Sequence, residues 1–192
     1  MRAAGEVFAA SGVDVSLEGI ARHAGVGAAT LYRHFASKDD LVRAVLELAF
    51  AEQVEPVLQG ALDGDGDAGG DLVRVIEAAL QMATANRNAL AAVKGPQRIP
   101  LDLAPSFFQR LAGVLTRAQR QGAVRGDLRA ADLPRLVAML ITAMWFDESG
   151  NEWRRYLSLF QDALAPAASS PLPPLGAAAG TGFASGSGFS CP

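Results

Sequence analysis

One cysteine in 192 residues, Cys191, leaves no partner for an internal disulfide and no thiolate set for a zinc site, which fits a reducing compartment. Histidine is nearly as scarce. His23 and His34 are not spaced as a ligand pair, and no acidic cluster joins them, so no metal is expected. No apolar run reaches the ~18 residues that a membrane helix needs. No basic stretch followed by an apolar one opens the chain, so a cytoplasmic protein with no membrane partner is expected. Alternation of apolar and polar residues is not sustained anywhere, which leaves no strand pattern. Surplus positive charge is missing too: the net charge is −3, and residues 1–50 hold five Lys/Arg against six Asp/Glu. A basic coat for nucleic acid is therefore excluded, and any DNA contact must come from where the few cations stand. Finally, no Ser/His/Asp set, paired-carboxylate site or phosphate loop is present, so neither an enzyme nor a cofactor is expected.

What is present is helix-forming sequence, and an all-α fold is predicted. A first helix over Arg2 to Ser11 would bury Ala4, Val7 and Phe8 and end at Gly12. Ser16 caps a second short helix through Ala24, Gly25 breaks it, and a third runs from near Gly27 to near His34. Ser37 caps a long fourth helix reaching about Val54, with Asp40 in the position of a capping-box acid. Pro56 and the stretch GDGDAGGD (Gly64 to Asp71) then interrupt the pattern, the latter as a solvated acidic loop that lacks the spacing and terminal Glu of an EF-hand. Helices follow over Asp71 to about Asn86, on to Lys94, and from Pro105. Two later stretches have the clearest helical period: Leu133, Leu136, Val137, Leu140, Ile141 and Met144, then Trp153, Tyr156, Leu157, Phe160 and Leu164. Residues 166–192 carry no charge, and Pro, Gly and Ser contribute five each of their 27 positions. Such a segment is expected to be disordered.

The segment Ser16 to Leu41, SLEGIARHAGVGAATLYRHFASKDDL, carries the function. It reads as two short helices joined by a glycine turn, with another helix following at once. Ile20, Ala21, Ala24, Val26, Leu31 and Phe35 are expected to face inward. Gly27, Ala28, Ala29, Thr30, Tyr32, Arg33 and His34 are left along the second helix. Small residues at its start permit close approach to a groove, and Tyr32, Arg33, His34 and Lys38 can donate to phosphates.

The run IARHAGVGAATLYRHFASKDDL resembles the DNA-binding signature of the TetR (tetracycline-repressor) family, and EVFAASG before it resembles the end of that family's first helix. The resemblance covers about the first 50 residues, with the phrase AQRQGAVRGDL, Ala118 to Leu128, as a fainter echo. It implies that Thr30, Tyr32, His34 and Lys38 touch phosphates. It further implies that Gly27, Ala28, Ala29 and Arg33 sit where bases are approached, and that Ser16 is a cap that also meets the backbone. Two features depart from the family. Met1 stands inside the usual first helix, without the basic arm, and Gly27-Ala28-Ala29 replaces the usual Ser-x-Gly. Readout there must be apolar, against thymine methyls.

The expected organisation is a helix-turn-helix domain over 1–46, a helical effector-binding and dimerisation domain over 47–165, and the tail over 166–192. A homodimer is expected through Leu133, Leu136, Val137, Leu140, Trp153, Tyr156, Leu157 and Phe160, because a lone helix-turn-helix grips DNA weakly. Met82, Phe107, Phe108, Met139, Met144, Trp145 and Phe146, with Arg98 as the polar group, are the candidates to line a pocket for an unknown small hydrophobic effector. Asp102 and Asp147 are weaker polar candidates. The function expected is a repressor that binds double-stranded DNA at an inverted-repeat operator and is released by that effector. A regulator governed by a protein partner, and a helical small-molecule carrier, are the alternatives.

Overall fold

The computed structural model describes residues 1–12, 14–92, 104–144, 152–166 and 170–173. Helix α1 (Arg2–Ser11) forms where apolar residues recur at i, i+3 and i+4, and Ala4, Val7 and Phe8 are all buried. It stops at Gly12, whose φ of 70° lies in the left-handed region that costs a side chain energy. Helix α2 (Leu17–His23) starts as expected: the Ser16 hydroxyl accepts the Gly19 N–H at 3.1 Å. Gly25, φ 67°, makes the turn, and α3 (Ala28–His34) follows. Ser37 opens α4 (Lys38–Gln53), accepting the Asp40 N–H and donating its hydroxyl to the Asp40 carboxylate at 2.8 Å. Phe8, Ile20, Leu41 and Leu46 are each 1% exposed and close one core under the turn. Burying each of these large side chains stabilises by roughly 1.5–3 kcal/mol, enough to hold short helices that would not form alone. Val26, expected inside, is instead 43% exposed.

Beyond Val54 the chain enters α5 (Glu55–Asp63), with Pro56 in its first turn, where a missing N–H costs nothing. Pro56 thus begins a helix as well as ending one. Helix α6 (Ala68–Ala85) is the centre of the bundle, with Leu72, Val75, Ile76 and Leu80 fully buried. It packs on α5, on α8 (Ala104–Arg120) and on α9 (Leu133–Met144), while α7 (Arg87–Ala92) touches α1 and α4. A 3-10 turn, Ala130–Asp132, leads into α9, and α10 (Trp153–Leu164) packs beside α9.

Four expectations change here. The acidic stretch is not all solvated loop: Asp67 caps α6 by accepting the Gly70 N–H at 3.0 Å, so Ala68 to Asp71 are already helical. Asp71 is only 8% exposed and is paired with Arg117 and Arg74, while Arg117 also donates to the Gly64 carbonyl. A loop rich in glycine is pinned this way because an internal carboxylate needs a cation and donors. Second, most of the stripe assigned to dimerisation is spent inside the protomer. Leu133, Val137 and Leu140 of α9 and Trp153 and Leu157 of α10 are buried against the chain's own core. Only Leu136, Tyr156 and Phe160 of that set keep exposed surface, joined by Met139 (67% exposed) and Leu159 (59%) on the outward faces. Third, Met139 is for the same reason on the outside, not at an interior pocket. Fourth, part of the tail is held. The Arg125 guanidinium donates to the Ser170 carbonyl at 2.6 Å, and the Leu172 N–H donates to the Asp127 carboxylate at 2.7 Å.

Candidate nucleic-acid interface

Helix α3 has no buried residue, although Leu31 and the following Phe35 pack partly against the core. The rest of its surface is open: Gly27, Ala29, Thr30, Tyr32, Arg33 and His34 are exposed, and Ala28 is half-buried. Ser16 lies exposed at the start of α2 and Lys38 half-buried at the start of α4. The predicted DNA-contacting residues therefore come from three helix starts and the open surface of one short helix. Serine caps fix the starts of α2 and α4, and the packing of Leu31 and Phe35 holds α3. A cation at the N-terminus of α4 opposes the helix dipole, which makes Lys38 a poor structural choice and a reasonable phosphate ligand. Val26, beside Gly27, adds apolar surface to the same edge. His23 is elsewhere, 3.6 Å from Glu6 and half-exposed.

One contact was not legible in the motif. The Tyr32 hydroxyl donates to Glu18 Oε1 at 2.5 Å, tying α3 to the first turn of α2. That bond holds the Glu18 carboxyl below the usual carboxylate range, and the same carboxylate pushes the Tyr32 phenol above its ordinary value. Fourteen residues separate the pair, so only the angle between the two helices brings them together.

The effector candidates are partly assembled. Phe107, 6% exposed, meets Phe50 edge-on with ring centres 5.5 Å apart and Phe108 at 5.0 Å. Met82 packs half-buried on the same core. Met144 is buried, with its sulfur 3.7 Å from the Thr84 hydroxyl. Arg98, Trp145 and Phe146, with Asp102 and Asp147, lie outside the described residues. A cleft of about 320 Å³ is present elsewhere, between the Arg125–Arg129 turn, α9 and α10, and none of the effector candidates lines it. Its walls include Leu128, Leu136, Phe160, Leu164, Leu172 and Pro173. Among the described residues, no group of three or more His, Cys, Asp or Glu could hold a metal ion, and no helix is long and apolar enough to cross a membrane.

A link between the reading head and the bundle was also invisible in the sequence. The Asn88 amide of α7 donates to the Phe8 and Ala9 carbonyls at the end of α1, at 3.2 and 3.1 Å. Arg2 of α1 pairs with Glu52 of α4 at 2.7 Å.

Comparison with known proteins agrees with this geometry. A family model described as bacterial regulatory proteins, tetR family, matches residues 1–45. No curated protein sequence matches the chain. Solved structures do. A TetR transcriptional regulator from Streptomyces coelicolor is 29% identical, over 86% of this chain and 96% of that one, with a TM-score of 0.64. A TetR transcription regulatory protein from Mycobacterium vanbaalenii is 30% identical, over 85% and 91% of the two chains, with a TM-score of 0.56. A protein from Saccharomonospora viridis, described as a transcriptional regulator and solved in complex with choline, is 23% identical over 84% and 92%, with a TM-score of 0.60.

Proposed function

The chain belongs to the TetR family of bacterial DNA-binding transcriptional regulators, and on that premise we propose that it is a repressor that holds an inverted-repeat operator as a two-fold dimer and releases it when a small apolar molecule enters the helical bundle. The observation that carries the DNA-binding half is the open face of α3. A seven-residue helix with nothing buried, on a well-packed core, presents Thr30, Tyr32, Arg33 and His34 together. Thr30, Tyr32, His34 and Lys38 position the head on phosphates, and Arg33 with the small residues Gly27, Ala28 and Ala29 meets base edges.

Dimerisation runs through the outward faces of α9 and α10, where Met139, Leu159, Tyr156, Leu136 and Phe160 leave apolar surface uncovered. Two-fold symmetry then makes the operator an inverted repeat. Effector binding is supported by the aromatic cluster of Phe50, Phe107 and Phe108, apolar surface suited to a hydrophobic or amphipathic molecule. Such a molecule releases DNA only by binding the DNA-incompetent form more tightly. The path to the head runs through α4 and through Asn88 of α7, which grips the end of α1. The test is selection of genomic fragments by the purified protein, then band shifts with the selected DNA under a panel of apolar ligands. Ligand-dependent release supports the reading. Specific binding that no ligand shifts removes the effector half and moves control to a protein partner.

A further inference from the structure

Tyr32 has one hydroxyl proton, and the free protein gives it to Glu18. The Oη to Oε1 distance, 2.5 Å, is at the short end for an O–H···O⁻ bond. Both side chains stand at the surface, so the bond does not answer a burial requirement. Glu18 lies in the first turn of α2, where the helix dipole favours an anion. A DNA phosphate would offer Tyr32 the same partner, an anionic oxygen that accepts and never donates. The hydroxyl can therefore serve Glu18 or the backbone of DNA, but not both. If it turns to DNA, the Glu18 carboxylate loses its Tyr32 donor and keeps the Ser16 hydroxyl and its own backbone N–H.

We propose that Glu18 is a built-in stand-in for phosphate, which occupies Tyr32 in the free protein and weakens the grip of the head on DNA backbone. This rests on Tyr32 being a backbone contact, as read above. Backbone contacts carry no sequence information, so the attenuation acts on every duplex. The binding that remains leans more heavily on base contacts. Residues 1–50, with one more acid than base, have no charge surplus to mask the effect.

The decisive variant is Glu18→Gln. Glutamine keeps an acceptor for the Tyr32 hydroxyl, and so keeps the brace between α2 and α3, while removing the charge. Full-length wild type and E18Q are titrated with a random-sequence duplex and with a genomic fragment that the wild type selects, at several salt concentrations. E18Q should bind both duplexes about threefold to tenfold more tightly, as expected when one charge-assisted bond becomes available. The gain should shrink as salt rises. Tyr32→Phe should weaken binding in both backgrounds, but by several-fold more in E18Q than in the wild type, a non-additivity that marks competition for one hydroxyl. Equal or weaker binding by E18Q, with unchanged circular dichroism, overturns the proposal and leaves Glu18 a brace only. Failure of the DNA-binding reading looks different: neither protein would retain any duplex at low salt, and both readings would fall together.

Discussion

Lys38, at the start of α4, and Arg33, on α3, are expected to fail differently when removed. Lys38 stands where the dipole of α4 disfavours it and where phosphate would reward it. Lys38→Ala should weaken binding to all sequences alike and reduce the magnitude of the salt slope by about one. Arg33 projects from the exposed face of α3. Arg33→Ala should relax preference at one base position, by about 1–3 kcal/mol if the contact is bidentate. Titrations across salt, with a panel of single-base operator variants, separate the two. A Lys38→Ala protein with unchanged affinity and slope would remove Lys38 from the interface. The same residue scale holds the Asp71 junction. Its carboxylate is almost fully internal, between Arg117 and Arg74. Asp71→Ala would leave Arg117 with an uncompensated charge, and breaking such a pair typically costs about 3–5 kcal/mol. Chemical denaturation should show the loss, whereas Asp65→Ala, on the exposed part of the same stretch, should be near neutral.

At the scale of the element, α9 and α10 each present two apolar faces, and packing spends one of them. Leu133, 0% exposed, supports the protomer. Leu133→Ala should lower stability by about 2–5 kcal/mol without selectively altering assembly. Met139 and Leu159 stay 67% and 59% exposed among the described residues. Leu159→Glu should yield folded monomers, with Met139→Glu as the companion variant. Light scattering and thermal melting together decide the matter. A wild-type protein that is monomeric at high micromolar concentration would sink the dimer. The helical period alone marks both helices as amphipathic, yet it cannot say which apolar residues meet the chain's own core and which meet a second copy.

For the whole molecule, the tail segment 170–173 is tied to the turn that holds Arg125 and Asp127. The Asp127 carboxyl is held well below its ordinary range, first by the Arg125 guanidinium and then by the Leu172 N–H. A carboxylate with a depressed pKa contributes stability above its unfolded pKa and loses that contribution as pH falls through the folded one. Docking of the segment should therefore be constant between about pH 6 and about pH 8, and fail only below the ordinary carboxylate range near ~3.9. The Leu172 amide resonance should follow that course. Asp127→Asn should shift it at neutral pH, and an unchanged resonance in that variant would show that the contact does not hold the segment.

The residues that could be read directly are those whose partners lie within one turn of chain. Ser16 meets the Gly19 N–H, Ser37 meets Asp40, Gly12 and Gly25 adopt backbone angles that favour glycine, and Ala4, Val7 and Phe8 mark the buried side of α1. Capping, turn geometry and helical period act over three or four residues, so the helix-turn-helix and most of its exposed face were determined by the sequence alone. The contacts that only tertiary structure decided join residues far apart: Tyr32 to Glu18, Asn88 to Phe8, Arg117 to Asp71, Leu172 to Asp127. Each depends on the angle and depth at which whole helices pack. A polar side chain on an amphipathic helix is compatible with solvent or with a partner, and packing selects between them by what it brings within hydrogen-bond reach.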